Sequence, residues 1–147
     1  MKKSWWKVPL YCLCAGWLCF QLEVRFLGRF ALVTLPDGTI TSDSTRWMMM
    51  SGILFVAVIL VGGLCFFRKM TRKELFYSAS VMAAVNVIMG LIAYWTQGMF
   101  ALYWAEFSEW SSFVSQLLYS VGLNQWVRAA ILWVLPYLFV LFGKKKT

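Results

Sequence analysis

The stretch WMMMSGILFVAVILVGGLCFF, residues 47–67, decides the fold class of this protein. It contains no charged side chain. An α-helix rises about 1.5 Å per residue, so this stretch is ~31 Å long and matches a bilayer hydrocarbon core of about 30 Å. The stretch therefore predicts a transmembrane helix.

The whole chain is unusually apolar. Of its 147 residues, 61% are hydrophobic and 14% are charged, whereas a soluble domain has roughly 45–50% apolar and about 25% charged residues. The apolar residues form long uninterrupted runs. This composition excludes an ordinary soluble domain and indicates an all-α integral membrane protein.

Three further runs are long enough to span a bilayer. They cover residues 8–29, 72–96 and 125–142. The first resembles a signal sequence, but Trp17 follows Ala15-Gly16 and spoils the small-x-small cleavage pattern. We therefore expect four transmembrane helices in one membrane domain, residues 1–147.

The basic residues predict the orientation. The chain carries 14 Lys and Arg against 6 Asp and Glu, with a net charge of +8. Ten of the basic residues fall in three groups that border apolar runs: Lys2, Lys3, Lys7; Arg68, Lys69, Arg72, Lys73; Lys144, Lys145, Lys146. The positive-inside rule assigns all three groups to the cytoplasmic face of a plasma or bacterial cytoplasmic membrane. Their partners would be anionic lipid headgroups, and no folded surface is left for nucleic acid.

Two segments between spans have their own patterns. Residues 32–41, LVTLPDGTIT, place turn residues between β-favouring ones and predict a short extracellular hairpin. In residues 107–121, apolar side chains recur every three or four positions opposite a polar face. This pattern predicts an amphipathic helix on the outer membrane surface. The alternative is that residues 107–123 enter the membrane as a fifth span or re-entrant loop.

Polar residues near or within the spans are the functional candidates, because lipid makes unpaired polar groups costly. Glu23 follows Cys12, Gly16 and Cys19 on one small-residue stripe. We predict an outer polar cluster, which Gln97 could complete, formed by Glu23, Arg25, Arg29, Arg46, Glu106 and Arg128. The simpler explanation is that these charges pair with each other or with lipid phosphate and only anchor the helix.

Asn86 is the one intramembrane polar candidate of the third span. It lies ~21 Å along the helix from Arg72, near or somewhat past the bilayer centre. An interhelical hydrogen bond is the simpler explanation, and a ligand contact is the alternative. Pro136 should kink the last helix.

The residue types present limit the catalytic and metal-binding chemistry open to the protein. The chain has no histidine, and its four cysteines lie in apolar runs without a Cys-x-x-Cys pair, which indicates free thiols. We predict no catalytic residue, cofactor or metal site. Acid–base catalysis would depend on Glu23, Glu106 or Glu109, so an enzyme is the less favoured class.

Two function classes remain. Four spans with very short cytoplasmic segments are typical of an accessory or assembly subunit that packs against another membrane protein or itself. The alternative is the protomer of a small oligomeric transporter or channel. The uncharged second span argues against a polar path through one copy.

The predicted topology has a direct test. A reporter fused after Lys146 or inserted near Lys69 should report the cytoplasm, because basic residues mark both segments as inner. A reporter inserted at Asp37 should report the exterior. An exterior signal from the tail would refute the four-span arrangement.

Overall fold

The computed structural model describes residues 4–96 and 98–144 and is mostly helical. Four of its helical stretches are long and apolar enough to cross a membrane: Lys7–Ala31, Ser44–Phe67, Arg72–Thr96 and Gln125–Phe142. The prediction of a four-span, all-α membrane protein is confirmed at this level. Lys2, Lys3, Gln97, Lys145 and Lys146 lie outside the described residues.

The first span is a continuous helical rod with one irregular turn. Helix α1 (Lys7–Leu22) passes into a π-helical turn at Glu23–Leu27 and then into α2 (Gly28–Ala31). The π-helical turn begins at Glu23, one of the predicted site residues. Such turns inside α-helices occur frequently at functional sites.

A short hairpin joins the first two spans. Strands β1 (Leu32–Thr34) and β2 (Ile40–Ser42) pair antiparallel. Gly38 between them has φ +83°, a conformation that glycine adopts without strain. The hydroxyl and backbone N–H of Thr39 donate to Asp37 and lower the pKa of that carboxyl group.

Side-chain caps begin the next two spans. Helix α3 (Ser44–Val61) starts after Asp43, whose carboxylate accepts from the Thr45 and Arg46 backbones. A π-helical turn, Gly62–Phe67, completes this span. Helix α4 (Arg72–Thr96) starts with a capping box in which Thr71 and Glu74 exchange hydrogen bonds.

The predicted single helix over 107–121 is wrong in its bounds. The structure has α5 (Met99–Ser108), a 3-10 turn at Glu109–Ser111 and α6 (Ser112–Ser120). The Ser108 and Ser111 hydroxyls donate to carbonyls three residues earlier, at 3.1 and 2.8 Å. Such bonds compete with the α-helical ladder, which accounts for the break.

The last span changes its helix type near proline. Helix α7 (Gln125–Val134) begins at Asn124, whose side chain accepts from the Trp126 N–H at 3.0 Å. A 3-10 helix then covers Leu135–Phe142. Pro136 lies at its second position, where the missing N–H prevents a regular α-helical bond.

Helices α5 and α6 pack among the spans rather than apart from them. The backbone of Phe107 lies so close to Gly16 of α1 that a Cβ atom there would collide with its carbonyl group. Trp110 is 3% exposed and stacks on Phe55 of α3, with ring centroids 6.3 Å apart. The break between α5 and α6 is therefore buried between α1 and α3.

Contacts at one end of the bundle unite three basic segments. We call it the basic end; it contains Lys7, residues 68–73 and Lys144. The Lys144 N–H donates to Met70 at 2.9 Å, and the Arg72 N–H donates to Lys144 at 3.2 Å. The opposite end, with residues 32–42, is the hairpin end.

One serine joins α1 to α4 near the basic end. The Ser78 hydroxyl accepts from the Val8 N–H at 3.0 Å and donates to the Trp5 carbonyl at 2.8 Å. An aromatic cluster lies nearby, where Phe67 and Phe139 rings meet at 4.9 Å. The Ser78 bonds thus join the first span to α4, and the Phe67–Phe139 contact joins the second span to the last.

Replacing Gly16 with alanine should destabilise the bundle by about 1–3 kcal/mol, because the added methyl group meets a backbone that cannot rotate away. Alanine ordinarily stabilises a helix relative to glycine. A loss of stability on Gly16→Ala would therefore indicate the collision with the Phe107 backbone. Thermal unfolding in detergent measures it.

The matched control is Gly90→Ala. There the new Cβ would lie 3.3 Å from the Trp133 side chain, which is able to shift. The loss at Gly90 should therefore be smaller. Equal losses at Gly16 and Gly90 would contradict the close approach of α5 to α1.

Candidate functional site

Glu23 is buried at the start of the π-helical turn, with 4% of its surface exposed. The Ser51 hydroxyl of α3 lies 3.1 Å from a Glu23 carboxyl oxygen and 3.1 Å from the Trp47 carbonyl oxygen. Its single proton is therefore shared between two acceptors. A carboxyl group buried this deeply needs such donors, since burial without a hydrogen bond costs several kcal/mol.

A second carboxyl group faces the first. The Glu109 side chain, from the 3-10 turn between α5 and α6, lies close to Glu23. Glu23 therefore has a second carboxyl group as well as a serine hydroxyl among its neighbours.

Glu109 also lines a cavity of about 330 Å³. The cavity lies between α4, the α5–α6 segment and α7. Its polar lining residues are Asn86, Ser108, Glu109, Ser111, Ser112, Ser115 and Gln116, and its aromatic ones are Trp104, Trp110 and Trp133. The polar face of residues 107–121 thus faces an internal space.

The predicted arginine partners do not surround Glu23. Among residues 4–96 and 98–144, the one ion pair joins Arg46 to Asp43 at 3.4 Å. Arg25 and Arg29 are exposed, and Glu106 is half-buried. The structure therefore gives Glu23 a serine and a second carboxyl group, rather than a cation.

Arg128 has a different environment. Its guanidinium carbon lies 5.1 Å from the centre of the Tyr119 ring, a cation–π contact. Within the described part of the chain, its Nε is the one buried side-chain nitrogen or oxygen without a hydrogen-bond partner. Arg128 thus joins α7 to α6 instead of completing the predicted cluster.

Asn86 lines the cavity together with Glu109. This position is compatible with the predicted alternative of a ligand contact. Sequence reasoning did not assign Ser51 or Glu109 to the candidate cluster, nor the cavity serines Ser108, Ser111, Ser112 and Ser115. The sequence feature that pointed to these serines is the spacing of Ser108, Ser112 and Ser115 on one helical face. That spacing does not say whether the face meets water or a cavity.

The arrangement offers carboxyl, amide and hydroxyl groups for polar binding. In the part of the chain that the structure describes, no three His, Cys, Asp or Glu side chains could hold a metal ion together. No protein-family model, curated protein or solved structure matches the chain. Its function therefore has to be argued from this geometry.

Ser51→Ala should destabilise the protein by about 1–3 kcal/mol, because the buried Glu23 carboxyl group loses a donor. The control is Ser120→Ala, since that exposed hydroxyl bonds only its own helix, at the Leu117 carbonyl. The thermal unfolding midpoints of the Ser51→Ala and Ser120→Ala variants are compared. Equal midpoints for Ser51→Ala and the unmodified protein would show that Glu23 does not depend on Ser51.

Proposed function

We propose that this chain is a small membrane subunit that binds a transmembrane helix of another membrane protein. One observation carries the proposal: an apolar groove of about 720 Å³ between α1 and α3, which we call the lateral groove. The Tyr11 hydroxyl of α1 donates to the Val58 carbonyl of α3 at 2.7 Å across the groove, and the remaining space between the two helices is available to a partner.

The lateral groove has the length and lining of a helix-binding surface. Along α1 its lining residues recur at helical spacing, from Trp6 to Leu22, a distance of ~24 Å. The α3 span contributes Leu54, Ala57, Val58, Val61, Phe66 and Phe67. Most of a bilayer's thickness is thus lined by nearly continuous apolar surface.

Small side chains in the groove favour a helix as its occupant. Cys14, Ala15 and Ala57 line it, and small residues let helix backbones approach closely in lipid, where packing drives association. Lys7 lies at the basic end of the groove. A cation there stabilises the C-terminal end of a helix, so we propose a partner helix that ends at the basic end.

The convergence of three basic segments supports an orientation. We propose that the basic end faces the cytoplasm of a plasma or bacterial cytoplasmic membrane and contacts anionic lipid headgroups. The hairpin end is then extracellular. Helices α5 and α6 form a re-entrant pair that enters from that side, in place of a helix lying on the surface.

The protomer of a small oligomeric transporter is the second candidate. The cavity that contains Asn86 and Glu109 favours it, because intramembrane ionisable groups often mark substrate or ion pathways. A channel formed by several copies would use the same residues. We rank this class second because the lateral groove is the larger and more continuous surface.

Site-specific photo-crosslinking tests the subunit proposal. A photoreactive residue at Leu18, in the lateral groove, should form a covalent product with a second protein in native membranes. The matched control is Ile88 on α4, which is 56% exposed against 55% for Leu18 but does not line the groove. Ala57→Trp should abolish the Leu18 product, because the larger side chain fills the groove.

Three results would contradict the proposal. Leu18 could react only with lipid, which would make the groove a lipid site. Leu18 and Ile88 could give equal yields, which would show that the groove has no special role. A product of two copies of this chain would replace the partner with a homo-oligomer.

A further inference from the structure

We infer that the cavity between α4, α5, α6 and α7 binds a small organic monocation, an amine or a quaternary ammonium ion. The inference rests on three properties of the described lining residues: indole rings, a single charged side chain and uncharged polar groups. It does not rest on the lateral groove, which lies between different helices.

Three tryptophans line the cavity: Trp104, Trp110 and Trp133. Trp110 stacks on Phe55, with 11° between the ring planes, and is buried. Its position is therefore fixed by packing before any ligand arrives. Indole is the best cation–π partner among side chains, and groups of aromatic rings recognise ammonium ligands.

The charge in the cavity favours a cation over an anion. Glu109 is the charged side chain among the described lining residues. A carboxylate attracts a monocation and repels an anion. The nearby cation, Arg128, is directed at the Tyr119 ring and is not among the lining residues.

Size and polarity restrict the ligand further. A volume of about 330 Å³ is at the small end of ligand pockets. Asn86 and Gln116 place amide groups on the wall, and Ser112 and Ser115 add hydroxyls. These groups bond the N–H or O–H groups of a small polar cation, whereas a bulky apolar cation would leave them unpaired.

Calorimetric titration of the purified full chain in detergent tests the inference. The probes are choline, ethanolamine and guanidinium, together with the uncharged isostere of choline in which carbon replaces nitrogen. At least one cation should bind saturably, with one site per chain. The isostere should bind at least about tenfold more weakly than choline if choline is the ligand, because the charge contacts are lost.

Two variants and one control identify the site. Glu109→Gln should weaken cation binding about tenfold or more, and Trp104→Leu should weaken it about threefold or more. Trp126→Leu removes an exposed tryptophan outside the cavity and should leave the affinity unchanged. Unchanged thermal unfolding of Trp104→Leu would show that its effect is not a loss of folding.

The inference is overturned if none of the three cations binds saturably. It is also overturned if a cation that does bind has the same affinity for the unmodified protein and for both variants. Equal binding of choline and its isostere would show an apolar pocket rather than a cation site.

Discussion

The close contact between Gly16 of α1 and the Phe107 backbone of α5 is the constraint on which the rest of the structure depends. A helix can approach this closely only where the facing residue has no side chain. The contact brings the 3-10 turn into the bundle, so that Trp110 reaches Phe55 and Glu109 reaches Glu23. With a larger residue at position 16, α5 would be displaced and the cavity would lose a wall.

The same bundle has two different surfaces. The polar face of the α5–α6 segment turns toward α4 and α7 and creates a polar cavity. On another side, α1 and α3 meet at the Tyr11–Val58 bond and leave an apolar groove between them. The proposed partner-helix surface and the proposed small-molecule site thus use different parts of the bundle.

Local sequence patterns predicted the helical spans and the helix caps. Contacts between residues far apart in the sequence were not predicted. Apolar runs such as 47–67 predicted the spans, because helix length against bilayer thickness is a local quantity. The caps at Asp43 and Asn124 depend on neighbouring residues only. The sequence offered several arginines as possible partners of Glu23, and no local pattern links Glu23 to Ser51 or Glu109, which the structure places beside it. Helical periodicity showed the two faces of residues 107–121 but not what each face meets.

The bonds of Ser78 have a consequence for the order in which the spans assemble. Val8 belongs to the first turn of α1, where backbone N–H groups lack partners within the helix. Its partner, Ser78, is 70 residues later in the chain. During synthesis α1 therefore exists without this partner until α4 has been made, and water or headgroups must solvate its first turn in the meantime. The first turn of α1 is thus completed late, by a residue of the third span.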